Sequence, residues 1–126
     1  MAFLLVVDDD TEALDAMCAV LTAAGHDVLP AAGGLRALDI LDADKQALDL
    51  LLTDVVMPGL HGFNLSRMAR LRRPEIKVLY ISGHSDMLTT VGDAGPKLGK
   101  MLQKPILPDD LRIAVTEALA AAPTGQ

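Results

Sequence analysis

Residues 3–10 read Phe-Leu-Leu-Val-Val-Asp-Asp-Asp. Five consecutive apolar residues without polar alternation are too few for a buried helix and suit a strand covered on both faces. The acidic residues that follow must then leave the core at once. Runs of the same kind return at residues 27–29, more weakly, and at 50–53, 76–81 and 100–103, with stretches of helical period between them. Strands alternating with helical segments specify a parallel sheet with helices on both faces. The expectation is an α/β domain, doubly wound, with a five-stranded parallel sheet.

The punctuation between the runs supports this reading. Asp10 stands where an N-cap belongs, ahead of a helix whose apolar stripe is Leu14, Met17, Cys18 and Leu21, and Gly25 ends it. Gly33-Gly34 leads into a second helix with Leu35, Leu38 and Leu41 on one face. Strand three runs through Leu50-Leu51-Leu52-Thr53 into Asp54, and the turn from Met57 to Gly62 opens a third helix from 63 to about 72. Pro74 separates that helix from strand four. Between Ser85 and Gly99 stand three glycines and a proline, so a helix there has no more than two turns, before Gly92. Pro108-Asp109-Asp110 begins a last helix through Leu111, Val115 and Leu119. The domain is expected over residues 2–120, with 121–126 a frayed tail.

Composition narrows the function classes. The chain has 126 residues, enough for one domain with a real core; apolar residues make up 51% and aromatics 2%, so that core is aliphatic. With 17 acidic against 11 basic residues the net charge is -6, and the longest basic run is Arg72-Arg73. This argues against nucleic acid and favours a protein partner or a small anion. Cys18, on the helical stripe, reads as a small buried hydrophobe. The N-terminus has no basic n-region, and no stretch is long enough to span a bilayer, so no membrane and a cytoplasmic location are expected. Met1 directly before the first strand and the lack of a linker after Ala120 favour a stand-alone protein.

In open parallel sheets ligands bind beyond the carboxyl ends of the strands. Those ends deliver Asp8 and Asp9 (strand one), Asp54 (strand three), Ser82 (strand four) and Lys104 (strand five). Three carboxylates in one crevice repel unless a cation neutralises them, and Mg²⁺ suits carboxylates that leave room for water and phosphate oxygen. A carboxylate can itself accept a phosphoryl group as an acyl phosphate. Lys104 then balances charge on the phosphoryl oxygens, and the Ser82 hydroxyl donates to one of them.

The blocks Val-Val-Asp8-Asp9-Asp10, Thr-Asp54-Val-Val-Met-Pro-Gly, Ile-Ser82-Gly and Gln-Lys104-Pro105 resemble, in order, the signatures of response-regulator receiver domains of two-component signalling, from about residue 2 to 120. The resemblance implies a flavodoxin-like (receiver) fold and a phosphoacceptor that is not a turnover enzyme. It further implies that Asp54 is phosphorylated, that Asp9 binds Mg²⁺ directly and Asp8 through water, that the Val56 carbonyl is another ligand, and that Ser82 and Lys104 touch the phosphoryl group. A cis Lys104–Pro105 bond goes with this. The phosphoryl donor is then a histidine kinase or phosphotransfer protein, and the output goes to a downstream protein. Two departures stand out: Met101 occupies the place of the family's switch aromatic, and Gly92-Asp93-Ala94-Gly95-Pro96 interrupts what is normally a full helix.

Other residues read as structural. Asp10, Asp109 and Asp110 sit at helix starts, where acids favour the N-terminal dipole. His26 follows a helix terminator and reads as solvated, and His61 has no second ligand at metal spacing. His84, two past Ser82, could overhang the crevice. The main alternative is a haloacid-dehalogenase-type phosphohydrolase using Asp8 as nucleophile, with Asp10, Ser82, Lys104 and Asp109-Asp110 imitating that order. It leaves Asp54 unexplained. A flavodoxin-like cofactor binder would need a Ser/Thr/Gly loop where Asp8-Asp9-Asp10 stand.

Overall fold

The leading apolar run becomes strand β1, Phe3–Val7, an interior strand of the sheet with a neighbour on each side. A computed structural model describes residues 2–43, 47–83 and 100–121. Along the chain follow α1 (Thr11–Ala23), β2 (Asp27–Ala31), α2 (Gly34–Ala43), β3 (Leu50–Asp54), α3 (Gly62–Arg72), β4 (Lys77–Ser82), β5 (Lys100–Gln103) and α4 (Pro108–Ala120). The five strands pair in parallel in the order β2-β1-β3-β4-β5. This is the expected doubly wound sheet.

Each central strand is buried on both faces because its side chains alternate between two cores. Leu5 and Val7 join Leu51, Val78 and Tyr80 beneath α2 and α3, while Leu4 and Val6 join Leu50, Leu52, Leu79 and Ile81 beneath α1 and α4. The continuous apolar runs of the sequence are this double burial. On α1, Leu14, Met17 and Leu21 face the sheet with Cys18 half-buried at the edge, and burial, then the nearby Asp15 charge, push that thiol up.

Three elements differ from the reading of the sequence. β2 continues past Leu29 to Ala31 through Pro30, which is possible because β2 is an edge strand and has no neighbour awaiting the missing N–H. β4 is displaced by one residue, to Lys77–Ser82, although Ile76 stays buried. On α2 the inward stripe is Gly34, Ala37 and Leu41, and Leu35 is 65% exposed. The cause is a close approach: a Cβ at Gly34 would stand 2.7 Å from the Leu60 Cβ, so small residues must face inward and Leu35 turns out. His84 and the whole segment from Ser85 to Gly99, where the sequence led us to expect a short helix, lie outside the described residues, as does the tail from residue 122.

Candidate functional site

β1 lies between β2 and β3, so consecutive connections depart in opposite directions from it, and the crevice at this switch point opens above the ends of β1 and β3. The register pairs Val7 with Thr53, which sets the next residues, Asp8 and Asp54, side by side. Asp8 is fully buried, Asp54 is 6% exposed, and Asp9 is exposed at the mouth. One carboxylate oxygen from each of the three lies within 4.8 Å of the others. On the far side, Lys104 Nζ stands 2.8 Å from Asp8 Oδ2 and 3.5 Å from Asp54 Oδ2. Ser82 is buried at the end of β4, and its carbonyl accepts from the Lys104 amide at 2.8 Å. Asp8, Asp9, Asp54 and Lys104 thus meet around one crevice, and Ser82 is tied to it through the backbone bond to Lys104.

The local backbone holds Asp54 tightly. Its Oδ1 accepts from the Val55 amide at 2.9 Å, and its carbonyl accepts from the Thr53 hydroxyl, also at 2.9 Å. α3 starts against that carbonyl: a Cβ on Gly62 would lie 2.2 Å from it, so only glycine fits. Val56 follows in the bend that leaves β3, with its side chain 40% exposed. The Lys104–Pro105 bond is cis.

Electrostatics set the protonation states. Burial, then the charge of Asp8, raise the Asp54 carboxyl to about 6, against the lowering effects of Lys104 and the Val55 amide. For Lys104, burial alone would lower the ammonium, but its contacts with Asp8 and Asp54 outweigh that and leave it above its ordinary value. It is therefore a fixed positive charge at neutral pH. Asp8 Oδ1 accepts from the Asp10 amide at 2.9 Å. Its Oδ2 has the Lys104 charge nearby but no aligned hydrogen bond, which leaves a buried oxygen open to a further cation. An all-oxygen set of this kind fits Mg²⁺, and Asp8, Asp9 and Asp54 are the residues to hold it.

The neighbouring acids are structural, as expected. Asp10 Oδ1 caps α1, accepting from Glu12 N at 3.1 Å and Ala13 N at 3.5 Å. Asp109 pairs with Arg112, and Asp110 is exposed beside it at the start of α4. That placement removes the acidic pair on which the phosphohydrolase alternative depends. Two histidines do more than the sequence suggested. His61 Nδ1 accepts from the Phe63 amide at 3.3 Å and so caps α3, and His26 Nδ1 accepts from the Ala2 amide at 3.2 Å instead of facing only water. A hollow of about 980 Å³ is at the opposite end of the sheet between His26, Asp49 and Lys77 and touches none of the crevice residues. A cleft of about 550 Å³ does border them, running from Lys104 and Gly83 along Ala13 and Met17 of α1.

Comparisons with known proteins agree with this geometry. The family model for the response regulator receiver domain matches residues 4–116. The response regulator receiver protein CpdR of Brucella abortus is 30% identical over 122 residues, covering 97% of this chain and 100% of its own. The sensor kinase CckA of Brucella abortus is 35% identical over 117 residues, covering 92% of this chain but 12% of the kinase. Among solved structures, a response regulator receiver protein from Sinorhizobium medicae WSM419 superposes with a TM-score of 0.84 at 29% identity, covering 95% of each chain.

Proposed function

Because this chain belongs to the response regulator receiver family, a family of phosphoacceptor domains in two-component signalling, we propose that Asp54 is its phosphoryl acceptor. The observation that carries the assignment is the position of the Asp54 carboxylate, clustered with Asp8 and Asp9 and within reach of the Lys104 ammonium, which also pairs with Asp8. Asp8 has the greater burial but a worse approach, since Lys104 lies against its Oδ2 and the Asp10 amide occupies its Oδ1.

The donor is a histidine kinase or a phosphotransfer protein carrying phosphohistidine. An Asp54 oxygen bonds to phosphorus in line with the departing imidazole, the P–N bond breaks, and its electron pair stays on the departing nitrogen, so that a donor ring protonated at its other nitrogen leaves as neutral imidazole. Asp54 has to be ionised to attack, and at neutral pH it is. As the acyl phosphate forms, the Lys104 ammonium moves its attraction from the carboxylate to a phosphoryl oxygen, and the Ser82 hydroxyl donates to another. Mg²⁺, held by Asp8, Asp9, Asp54 and the Val56 carbonyl, would neutralise the remaining charge on the phosphoryl oxygens. Water attacking phosphorus in line later returns Asp54 and inorganic phosphate. The chain acts as a stoichiometric acceptor and not as a turnover enzyme, its domain spans residues 2–120, and its output is a changed surface read by a downstream protein, with neither nucleic acid nor membrane as direct partner. Among the described residues no helix is long and apolar enough to cross a membrane.

Incubation with acetyl phosphate and Mg²⁺ tests the reading. One phosphoryl group per chain is expected, followed by slow release. Continuous release of phosphate from varied monoesters would instead establish the hydrolase.

A further inference from the structure

The buried hydroxyls of Ser66 and Tyr80 lie off the crevice, and nothing in the phosphoryl chemistry uses them. Tyr80 is in the interior of β4, fully buried, with its ring edge-on to Phe63 at 4.9 Å between centroids. Its hydroxyl lies 2.5 Å from Ser66 Oγ on α3, and that Oγ lies 2.8 Å from the Phe63 carbonyl. A carbonyl can only accept, so the Ser66 hydrogen goes to Phe63 and the Tyr80 hydroxyl donates to Ser66. Burial raises the phenol above its ordinary value, against lowering by Ser66 and Arg70, so it keeps the proton it donates.

The contacts on either side of this bond lead back to Asp54. On one side, Tyr80 precedes Ile81, whose carbonyl accepts from the Val55 amide at 2.9 Å, and Val55 in turn donates to Asp54 Oδ1. The next residue is Ser82, whose carbonyl holds the Lys104 amide. The end of β4 therefore spaces the acceptor, the hydroxyl and the lysine. On the other side, Ser66 sits in the first turns of a helix whose initial residue, Gly62, is pressed against the Asp54 carbonyl. We propose that Tyr80 is a positioning residue for phosphoryl capture, its bond to Ser66 closing a ring of contacts through α3 and β4 that fixes Ser82 and Lys104 relative to Asp54. Sequence reading finds no such role, because Ser66 and Tyr80 meet only in the fold.

A hydroxyl that merely satisfies itself in the core affects overall stability; one that spaces the site affects anion capture and the amides at the end of β4 selectively. The inference rests on Asp54 being the acceptor, so the parent is measured first, by titration with beryllofluoride in saturating Mg²⁺. Failure of the parent to bind overturns the acceptor reading and Tyr80's role with it. Given binding, Tyr80→Phe and Ser66→Ala are each expected to weaken affinity about fivefold, the worth of one net hydrogen bond, and the double variant to weaken it no further. Hydrogen exchange at the Val55 and Lys104 amides should also quicken more than at Leu5 on β1. Unchanged affinity in folded single variants, losses that add in the double variant, or an equal quickening at all three amides overturns the role of Tyr80 alone.

Discussion

A carboxylate buried beside another carboxylate is a poor place to keep a charge, and Asp54 is in that position. Its pKa is raised from the ordinary carboxylate range to about 6. Between the two values the folded state holds more protons than the unfolded chain, so stability falls as pH rises through that window and stays lowered above it. Metal-free Asp54→Asn, which cannot ionise, should therefore unfold at higher urea than the parent at pH 7.5, by on the order of 1–3 kcal/mol. The gap should shrink as the pH is lowered to about 4.5. A gap independent of pH contradicts the electrostatic cause. At this scale the clustering of Asp8, Asp9 and Asp54 beside Lys104 was legible in the sequence, because each of these residues stands at or just past the carboxyl end of a strand. The caps made by His61 and His26 and the bond from Tyr80 to Ser66 were not, because each depends on a backbone or side chain placed by the fold.

Elements position the site through close approaches that only small residues permit. α3 begins where a Cβ would penetrate the Asp54 carbonyl, so Gly62→Ala has to push α3 away from β3 or displace Asp54. The expected outcome is a loss of several kcal/mol in denaturant unfolding and a sharp fall in phosphoryl uptake at temperatures where the variant is still folded. Full uptake in a folded variant would show that the contact has no bearing on the site. Close approach also explains what the sequence concealed about α2. The spacing of Leu35, Leu38 and Leu41 looks like a buried stripe, but the nearness of Leu60 selects glycine at position 34, and Gly34 and Ala37 join Leu41 on the buried face. Proline at position 30 similarly hid the end of β2, since its tolerance depends on the strand being at an edge. The long apolar runs were legible because burial on both faces leaves no alternation to confuse.

For the molecule as a whole, the crevice is a charge imbalance built at the carboxyl end of the sheet. Three clustered carboxylates face one ammonium, and the fully buried Asp8 shares that ammonium with Asp54. A divalent cation relieves this in the folded state alone, so saturating Mg²⁺ should raise the melting temperature of the parent and have little effect on Asp9→Ala. An equal rise in both places the ion elsewhere. The last helix is fastened to the sheet by the Lys77 ammonium, which donates to the Leu119 carbonyl. The central claim, that this assembly delivers a phosphoryl group to Asp54, is tested most directly by reducing the freshly phosphorylated protein with borohydride and mapping the product by mass spectrometry. An acyl phosphate is reduced to the alcohol, so homoserine is predicted at position 54 and at no other aspartate. Homoserine at position 8, or phosphoryl uptake with no homoserine anywhere, would contradict the account.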